Sequence, residues 1–130
     1  MLEVGMKSTA ETVVTLDNTA KAFCSGALEV FATPAMVSLM EECCWKMIQP
    51  ELEEGLGSVG SKISISHVSP SAIGATILCE ATLLEIDGRK LTFEVMCSDE
   101  NGLIGMGTHE RYIINNEKFM AKAAGLLKND

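Results

Sequence analysis

Two periodicities alternate along the chain and predict its secondary structure. A run rich in Thr and Val over residues 8–16 predicts a first strand, and residues 17–29, which show no clear period, predict a loop or lid. Thr33 followed by Pro34 indicates a helix start, because Thr can cap free amides and Pro is tolerated at the first helical position. The helix is expected to end one residue before Pro50.

The predicted helix carries one apolar stripe. Glu42 faces the side opposite the stripe, whereas Glu41 lies at its margin, between Val37 and Trp45. One helix face is therefore expected to pack in the core, with Glu41 half buried. The residues of the stripe, placed at about 100° per residue, are Met36, Leu39, Met40, Cys43, Cys44 and Met47.

From residue 58 onward the period changes to 2. Ile63, Ile65 and His67 alternate with polar residues, as in a strand with one buried face. A short terminal helix with an apolar side is predicted over residues 116–127, and it is expected to pack on an apolar surface. Three more strands are predicted over residues 75–85, 91–98 and 103–114, joined by the turn dipeptides Asp87-Gly88 and Asn101-Gly102.

This order of elements predicts an α+β fold in which an antiparallel sheet covers the apolar stripe of one long helix. Residues 1–130 contain no linker or internal repeat, so a single domain is expected. A sheet with a helix on only one face leaves an edge exposed, and in a small domain a second copy commonly covers such an edge. A homodimer is therefore expected.

Composition argues against several classes of function. The chain is 47% hydrophobic and has a formal net charge of −8, whereas binding to a phosphate backbone requires clustered cations, so no nucleic-acid partner is expected. It has no secretory signal pattern and no run of about 20 apolar residues, which predicts a cytoplasmic protein without a membrane partner. Five cysteines without a Cys-x-x-Cys pair predict reduced, mostly buried thiols, and neither a metal nor a cofactor is indicated.

Three polar residues are candidates for chemistry. The partly shielded carboxylate of Glu41 suits a general base or nucleophile, although a Glu that covers apolar surface with its methylenes fits the same position. His67, directed inward at a strand end, suits proton transfer as well as a hydrogen-bonded core role. Thr33 either caps the helix or contacts a ligand. His109, which lies among glycines in a strand, is expected to be structural.

The spacing of Thr33 and Glu41 limits how they can act together. Eight residues apart on one helix, they are separated by about 12 Å of axial rise and cannot touch. A site that uses both must be bridged by the substrate or drawn from two subunits.

Three motifs carry a resemblance to a known family. They are Val30-Phe31-Ala32-Thr33-Pro34 with Glu41 on the following helix, residues 57–60 leading to Ile65-Ser66-His67, and residues 104–111. With these motifs, residues 28–122 resemble the hotdog-fold acyl-CoA thioesterases, and among them the proteins similar to fluoroacetyl-CoA thioesterase. The resemblance implies a long central helix wrapped by a curved antiparallel sheet, and a dimer with active sites at its interface.

The resemblance also implies an activity and a site. It implies hydrolysis of an acyl-CoA substrate to a free acid and coenzyme A, with catalytic roles for Thr33, Glu41 and His67. The carboxylate would attack the thioester carbonyl or activate water, the histidine would assist with the proton, and the threonine would position the group. The substrate-binding residues implied are Phe31, Gly60, through its backbone amide, and Arg111.

The resemblance leaves the substrate open. The stretch over residues 17–29 is shorter than the lid of the fluoroacetate-specific enzyme, so its selectivity is not implied here. An alternative is a hotdog protein that binds acyl-CoA without turnover, because fold alone does not establish catalysis. The candidate cations for the phosphates of coenzyme A are Lys62, Arg89, Lys90 and Arg111.

Overall fold

A computed structural model describes residues 1–128. The elements in chain order are β1 (Lys7–Val13), α1 (Thr33–Ile48), β2 (Leu56–His67), β3 (Thr76–Asp87), β4 (Lys90–Asp99), β5 (Gly102–Asn115) and α2 (Asn116–Lys128). Every predicted element is present, and most bounds differ by one to three residues. The first strand ends at Val13 instead of residue 16, because Thr15 caps a short 3-10 turn over Leu16–Asn18.

The five strands form one antiparallel sheet in the order β1-β3-β4-β5-β2. The hairpins β3–β4 and β4–β5 turn at Gly88 and Gly102, whose φ angles of 60° and 119° lie in the region that glycine adopts readily. Both turn dipeptides were therefore correct signals. Among residues 1–128, strand β2 pairs only with β5, so it forms one edge of the sheet and β1 forms the other.

Helix α1 packs its apolar stripe against the sheet. All six residues predicted for the stripe are buried, and Phe93 and Val95 from β4 lie in the same core. The removal of this apolar surface from water is the main force that holds the helix on the sheet. The predicted α+β arrangement, a long helix wrapped by a curved antiparallel sheet, is confirmed.

A β-bulge in β2 determines which residues of that strand face the helix. The register with β5 shifts between Gly60 and Lys62, so one extra residue is accommodated there. Successive strand residues normally alternate between faces, so residues 60 and 67 would point to opposite sides of an unbroken strand. The bulge restores the parity, and Gly60 and His67 both lie on the concave, helix-facing side.

Two glycines of β5 allow close approach of the elements around them. A Cβ at Gly105 would lie 2.6 Å from the sulfur of Met36 on α1, and one at Gly107 would overlap the Ser64 carbonyl oxygen on β2. Larger residues at these two positions would therefore not fit without a shift of α1 or β2.

The terminal helix forms as predicted, but its apolar side is not buried within one chain. Its large apolar residues, Phe119, Met120, Leu126 and Leu127, are all exposed. The prediction that α2 packs on an apolar surface is wrong for the single chain. The physical reason is that α2 follows directly on β5, where the Asn116 N–H donates to the Gly55 carbonyl, and the described part of the chain leaves its large apolar residues uncovered.

Four of the five cysteines are buried and Cys24 is exposed, and all five are free thiols, as predicted. Burial raises the pKa of the Cys44 thiol well above its usual value, which makes that thiol unreactive. Within residues 1–128, no helix has both the length and the apolar character that crossing a membrane requires.

Candidate active site

Thr33 and His67 form the first of two polar groups on the concave side of the sheet. The Thr33 hydroxyl lies 2.7 Å from Nδ1 of His67, the last residue of β2. Thr33 is not the helix cap, because the cap position is taken by Ala32 and Thr33 is itself the first helical residue. Its hydroxyl is therefore available to the histidine, which corrects the expectation of a capping role.

His67 combines a fixed ring with a free nitrogen. It is half buried, and Nε2 is buried without a hydrogen-bond partner among the described residues. Burial lowers the pKa of His67, so the ring is neutral near pH 7 and can accept a proton. The ring and Thr33 line a pocket of about 290 Å³ beneath the loop before α1, and Phe31, itself only 1% exposed, contributes to its wall.

Glu41 belongs to the second polar group, on the other half of the concave side. It is half buried, as the helix pattern predicts, and its carboxylate faces Gly60. A Cβ at Gly60 would lie 2.8 Å from Glu41 Oε2 and 3.4 Å from Arg111 Nη1. The missing side chain of Gly60 thus leaves room for Glu41 beside Arg111. Glu42 is also half buried, which corrects its predicted position opposite the stripe, but it pairs with Lys46 at 3.2 Å.

Arg111 is a buried cation held on three sides. Its side chain is 6% exposed, its Nε donates to the Ser58 hydroxyl at 2.8 Å, and its Nη2 donates to the Ser58 carbonyl at 2.9 Å. Its Nη1 lies 3.2 Å from Nε2 of His109. Burial lowers the pKa of Arg111 and the nearby Glu41 charge opposes this shift, but an arginine side chain remains protonated in proteins.

The sequence did not identify Ser58 or link His109 to this group. A signal was present for His109, because residues 109 and 111 are two apart on one strand and so share a face. None was present for Ser58, which reaches Arg111 only through the pairing of β2 with β5.

One chain keeps the two groups apart. Thr33 and Glu41 lie on the same helix about 12 Å apart along its axis, and Gly60 and His67 are separated by about 20 Å along β2. The three predicted catalytic residues therefore do not meet within a single chain. Thr33 contacts His67, and Glu41 lies with Gly60 and Arg111.

Gly60→Ala is expected to lower activity by displacing the Glu41 carboxylate. The new Cβ would need the space now held by Oε2, and a shift of about 1 Å at a reacting group can cost about 10²-fold in rate. The backbone amide of residue 60 would remain, and Glu41 Oε2 is the atom nearest to the new Cβ, so the loss would report chiefly on Glu41. Acyl-CoA turnover by the purified variant, with a thermal melt, measures this.

Gly125→Ala is the matched control for this substitution, because a Cβ there meets no other atom within 4 Å. It should leave turnover unchanged. Full activity in the Gly60→Ala protein would contradict the placement of Glu41 at the reacting centre.

The chain is also similar to known proteins. The sequence profile of the fluoroacetyl-CoA-specific thioesterase family matches residues 14–117. A fluoroacetyl-CoA thioesterase of Streptantibioticus cattleyicolor is 45% identical over 94 residues, which span 72% of this chain and 68% of that protein.

Two solved structures extend the likeness to almost the whole chain. The structure of a fluoroacetyl-CoA thioesterase superposes with a TM-score of 0.92 at 37% identity, covering 96% of this chain and 97% of that one. A thioesterase superfamily member of Thermus thermophilus superposes with a TM-score of 0.90 at 31% identity, covering 98% of this chain and 94% of that one. These matches confirm the predicted hotdog fold, and the chain belongs to the fluoroacetyl-CoA-specific thioesterase family of acyl-CoA thioesterases.

Proposed function

We propose that this protein hydrolyses an acyl-CoA thioester to a free acid and coenzyme A, with Glu41 as general base, at a site completed by a second copy of the chain. The observation that carries the proposal is the position of Glu41. Its half-buried carboxylate faces a gap left by Gly60 and lies beside the buried cation Arg111. Residues 1–130 act as one hotdog domain in this proposal.

A homodimer would bring the two polar groups together. The exposed edge of β2 can pair with the same strand of a partner subunit about a twofold axis. An axis at Ser64, with the bulged residue between Gly60 and Lys62 left unpaired, would place Gly60 opposite His67 of the partner subunit. The bulge already keeps both residues on the concave side. Glu41 of one subunit would then face the Thr33–His67 pair of the other.

The reaction then follows from the groups at the joined site. Glu41 takes a proton from a water molecule, and the resulting hydroxide adds to the thioester carbonyl. The developing oxyanion is stabilised by the amide of Gly60 and by the charge of Arg111. When the C–S bond breaks, the proton that Glu41 took from the water passes through the neutral His67 ring to the departing thiolate of coenzyme A, so both residues return to their starting states. Thr33 holds the His67 ring in place.

The phosphates of coenzyme A require cations that water can reach. Lys62 and Arg89 are exposed, and Lys90 is partly exposed and pairs with Glu110 at 3.6 Å. The burial of Arg111 and its contacts with Ser58 and His109 argue against a phosphate role for that residue. In the proposed site, Arg111 acts at the thioester carbonyl of the substrate, and Lys62 and Arg89 are the candidates for contacts with the phosphates of coenzyme A.

We further place the protein in the cytoplasm. Five free thiols, four of them buried, suit a reducing compartment, where thiols are kept from forming disulfides.

The proposed activity is tested by assaying the purified protein with acyl-CoA thioesters that differ in acyl length and substitution, with release of free thiol as the readout. At least one substrate is expected to turn over. The S. cattleyicolor relative is named for fluoroacetyl-CoA, so that substrate belongs in the panel beside acetyl-CoA. Tight binding of acyl-CoA with no thiol release from any substrate would instead support a binding protein without turnover.

The shared site is tested by mixing two inactive variants, Glu41→Gln and His67→Ala, under conditions that allow subunit exchange. A mixed dimer then carries both substitutions in one site and neither in the other. Activity should recover to about a quarter of the unsubstituted protein's, because half of the dimers are mixed and half of their sites are intact. Sedimentation should give twice 13.9 kDa.

No recovery on mixing, or a species of 13.9 kDa at micromolar concentration, would contradict a site shared between subunits.

A further inference from the structure

His109 is a buried histidine with both ring nitrogens engaged. It lies on β5, is 1% exposed, and its ring stacks on Phe93 with the centroids 6.1 Å apart. Nδ1 lies 2.8 Å from the Lys62 carbonyl oxygen, and Nε2 lies 3.2 Å from Nη1 of Arg111. These two contacts join a strand backbone to the buried cation beside Glu41.

The two contacts determine the tautomer of the ring. A carbonyl oxygen only accepts hydrogen bonds, so Nδ1 must carry the proton that it donates to Lys62. Nε2 is then an unprotonated acceptor for an N–H of Arg111. Burial lowers the pKa of His109, and the charge of Arg111 acts in the same direction, so the ring stays neutral.

The bulge in β2 is next to the carbonyl that His109 uses. The register shift between Gly60 and Lys62 interrupts the β2–β5 ladder there, where Lys62 accepts from a side chain of β5. The His109 ring also packs under the gap at Gly60, because Cε1 would lie 3.2 Å from a Cβ at that position. The bulge thus links the position of the ring to the position of Gly60.

The contacts of Arg111 run to Ser58 and His109, although Glu41 is close by. An unconstrained guanidinium beside a carboxylate favours a bidentate ion pair, which would occupy both carboxylate oxygens. Here Nη1 is held by His109, and Nε and Nη2 are held by Ser58. Glu41 therefore keeps a cation nearby while its oxygens stay available for a water molecule.

We propose that His109 is a positioning residue for thioester hydrolysis, which holds the Arg111 guanidinium facing Glu41 and prevents it from closing on that carboxylate. This inference rests on the proposed function of Glu41 as the base. It assigns to His109 a role beyond packing in the core, because the ring acts through a hydrogen bond to Arg111.

The test compares His109→Phe, which keeps a flat ring beside Phe93 but removes both nitrogens, with His109→Gln, whose amide oxygen can still accept from Arg111. We expect His109→Phe to lower kcat by about 10- to 100-fold with little change in KM. The reason is that a misplaced Arg111 guanidinium would weaken stabilisation of the transition state more than binding of the substrate. His109→Gln should recover part of the loss. Val95→Ala, a cavity-forming change elsewhere in the core, should lower Tm and leave kcat unchanged.

The decisive measurement is the kcat of a double variant that combines His109→Phe with Arg111→Met. If His109 acts through Arg111, adding His109→Phe to Arg111→Met should lower kcat no further. If the losses of kcat in the two single variants multiply in the double variant, or if His109→Phe leaves kcat unchanged, the inference is overturned while the proposed function stays intact. Absence of turnover in the unsubstituted protein would overturn the proposed function, and the inference with it.

Nitrogen NMR of the full chain provides a readout that does not depend on turnover. It should show His109 protonated at Nδ1 alone, with an Arg111 side-chain N–H signal that shifts in His109→Phe. An Arg111 signal unaffected by that change would also overturn the inference.

Discussion

Glu41→Gln is expected to lower kcat for acyl-CoA hydrolysis by about 10²- to 10⁴-fold, the range typical for loss of a general base. Gln has nearly the same size and shape as Glu, so the space between Gly60 and Arg111 stays filled. An amide, however, cannot take a proton from water near neutral pH. Measurement of kcat and KM, together with a thermal melt, separates loss of chemistry from loss of structure.

Glu42→Gln is the matched control, because Glu42 lies on the same helix one residue away. It pairs with the exposed Lys46, and a surface pair of this kind contributes at most about 1 kcal/mol to stability. Its turnover should stay within about twofold of the unsubstituted protein's. Equal losses in the two variants would show that the negative charge of the helix matters, and not the placement of one carboxylate.

His67→Ala is expected to lower kcat by about 10²- to 10⁴-fold while KM changes little, because proton transfer acts in the transition state. The variant removes the Nδ1 partner of Thr33 and the buried, unpartnered Nε2. Ser66→Ala, an exposed neighbour on the other face of β2, is the control and should be silent. Hydrolysis at the normal rate in His67→Ala would return His67 to the role of an ordinary core histidine.

The dependence of kcat/KM on pH should also show the ionisation of His67. Because burial lowers the pKa of His67, the neutral ring persists to more acidic pH than an ordinary histidine allows. An acid limb of kcat/KM caused by His67 should therefore have its midpoint below about 6.5, the usual histidine value. It should also disappear from the residual activity of His67→Ala. A limb that remains in that variant belongs to another group.

Local patterns were sufficient for most of the secondary structure. The stripe of α1 follows from a 3.6-residue period, and every residue assigned to it is buried. The two tight hairpins follow from glycines whose positive φ few other residues adopt without cost. Each of these features depends on residues a few positions apart, so the sequence alone can show it.

Features that depend on contacts between distant segments were missed or misread. Thr33 looked like a helix cap, but its hydroxyl bonds a histidine 34 residues later. The terminal helix has the composition of a packed helix, yet the described part of the chain leaves its large apolar residues exposed. Ser58 carried no local signal, because its contact with Arg111 arises only from strand pairing.

The sequence by itself determined the order of the elements, the buried face of the long helix, the half-buried position of Glu41 and, through its motifs, the family. The tertiary structure alone decided which polar residues meet: Thr33 with His67 in one group, and Glu41 with Gly60 and Arg111 in the other. The physical reason is that hydrophobic periodicity records only which side of an element is buried. Contacts between elements depend on strand register, and one bulge in β2 changes the face that Gly60 occupies.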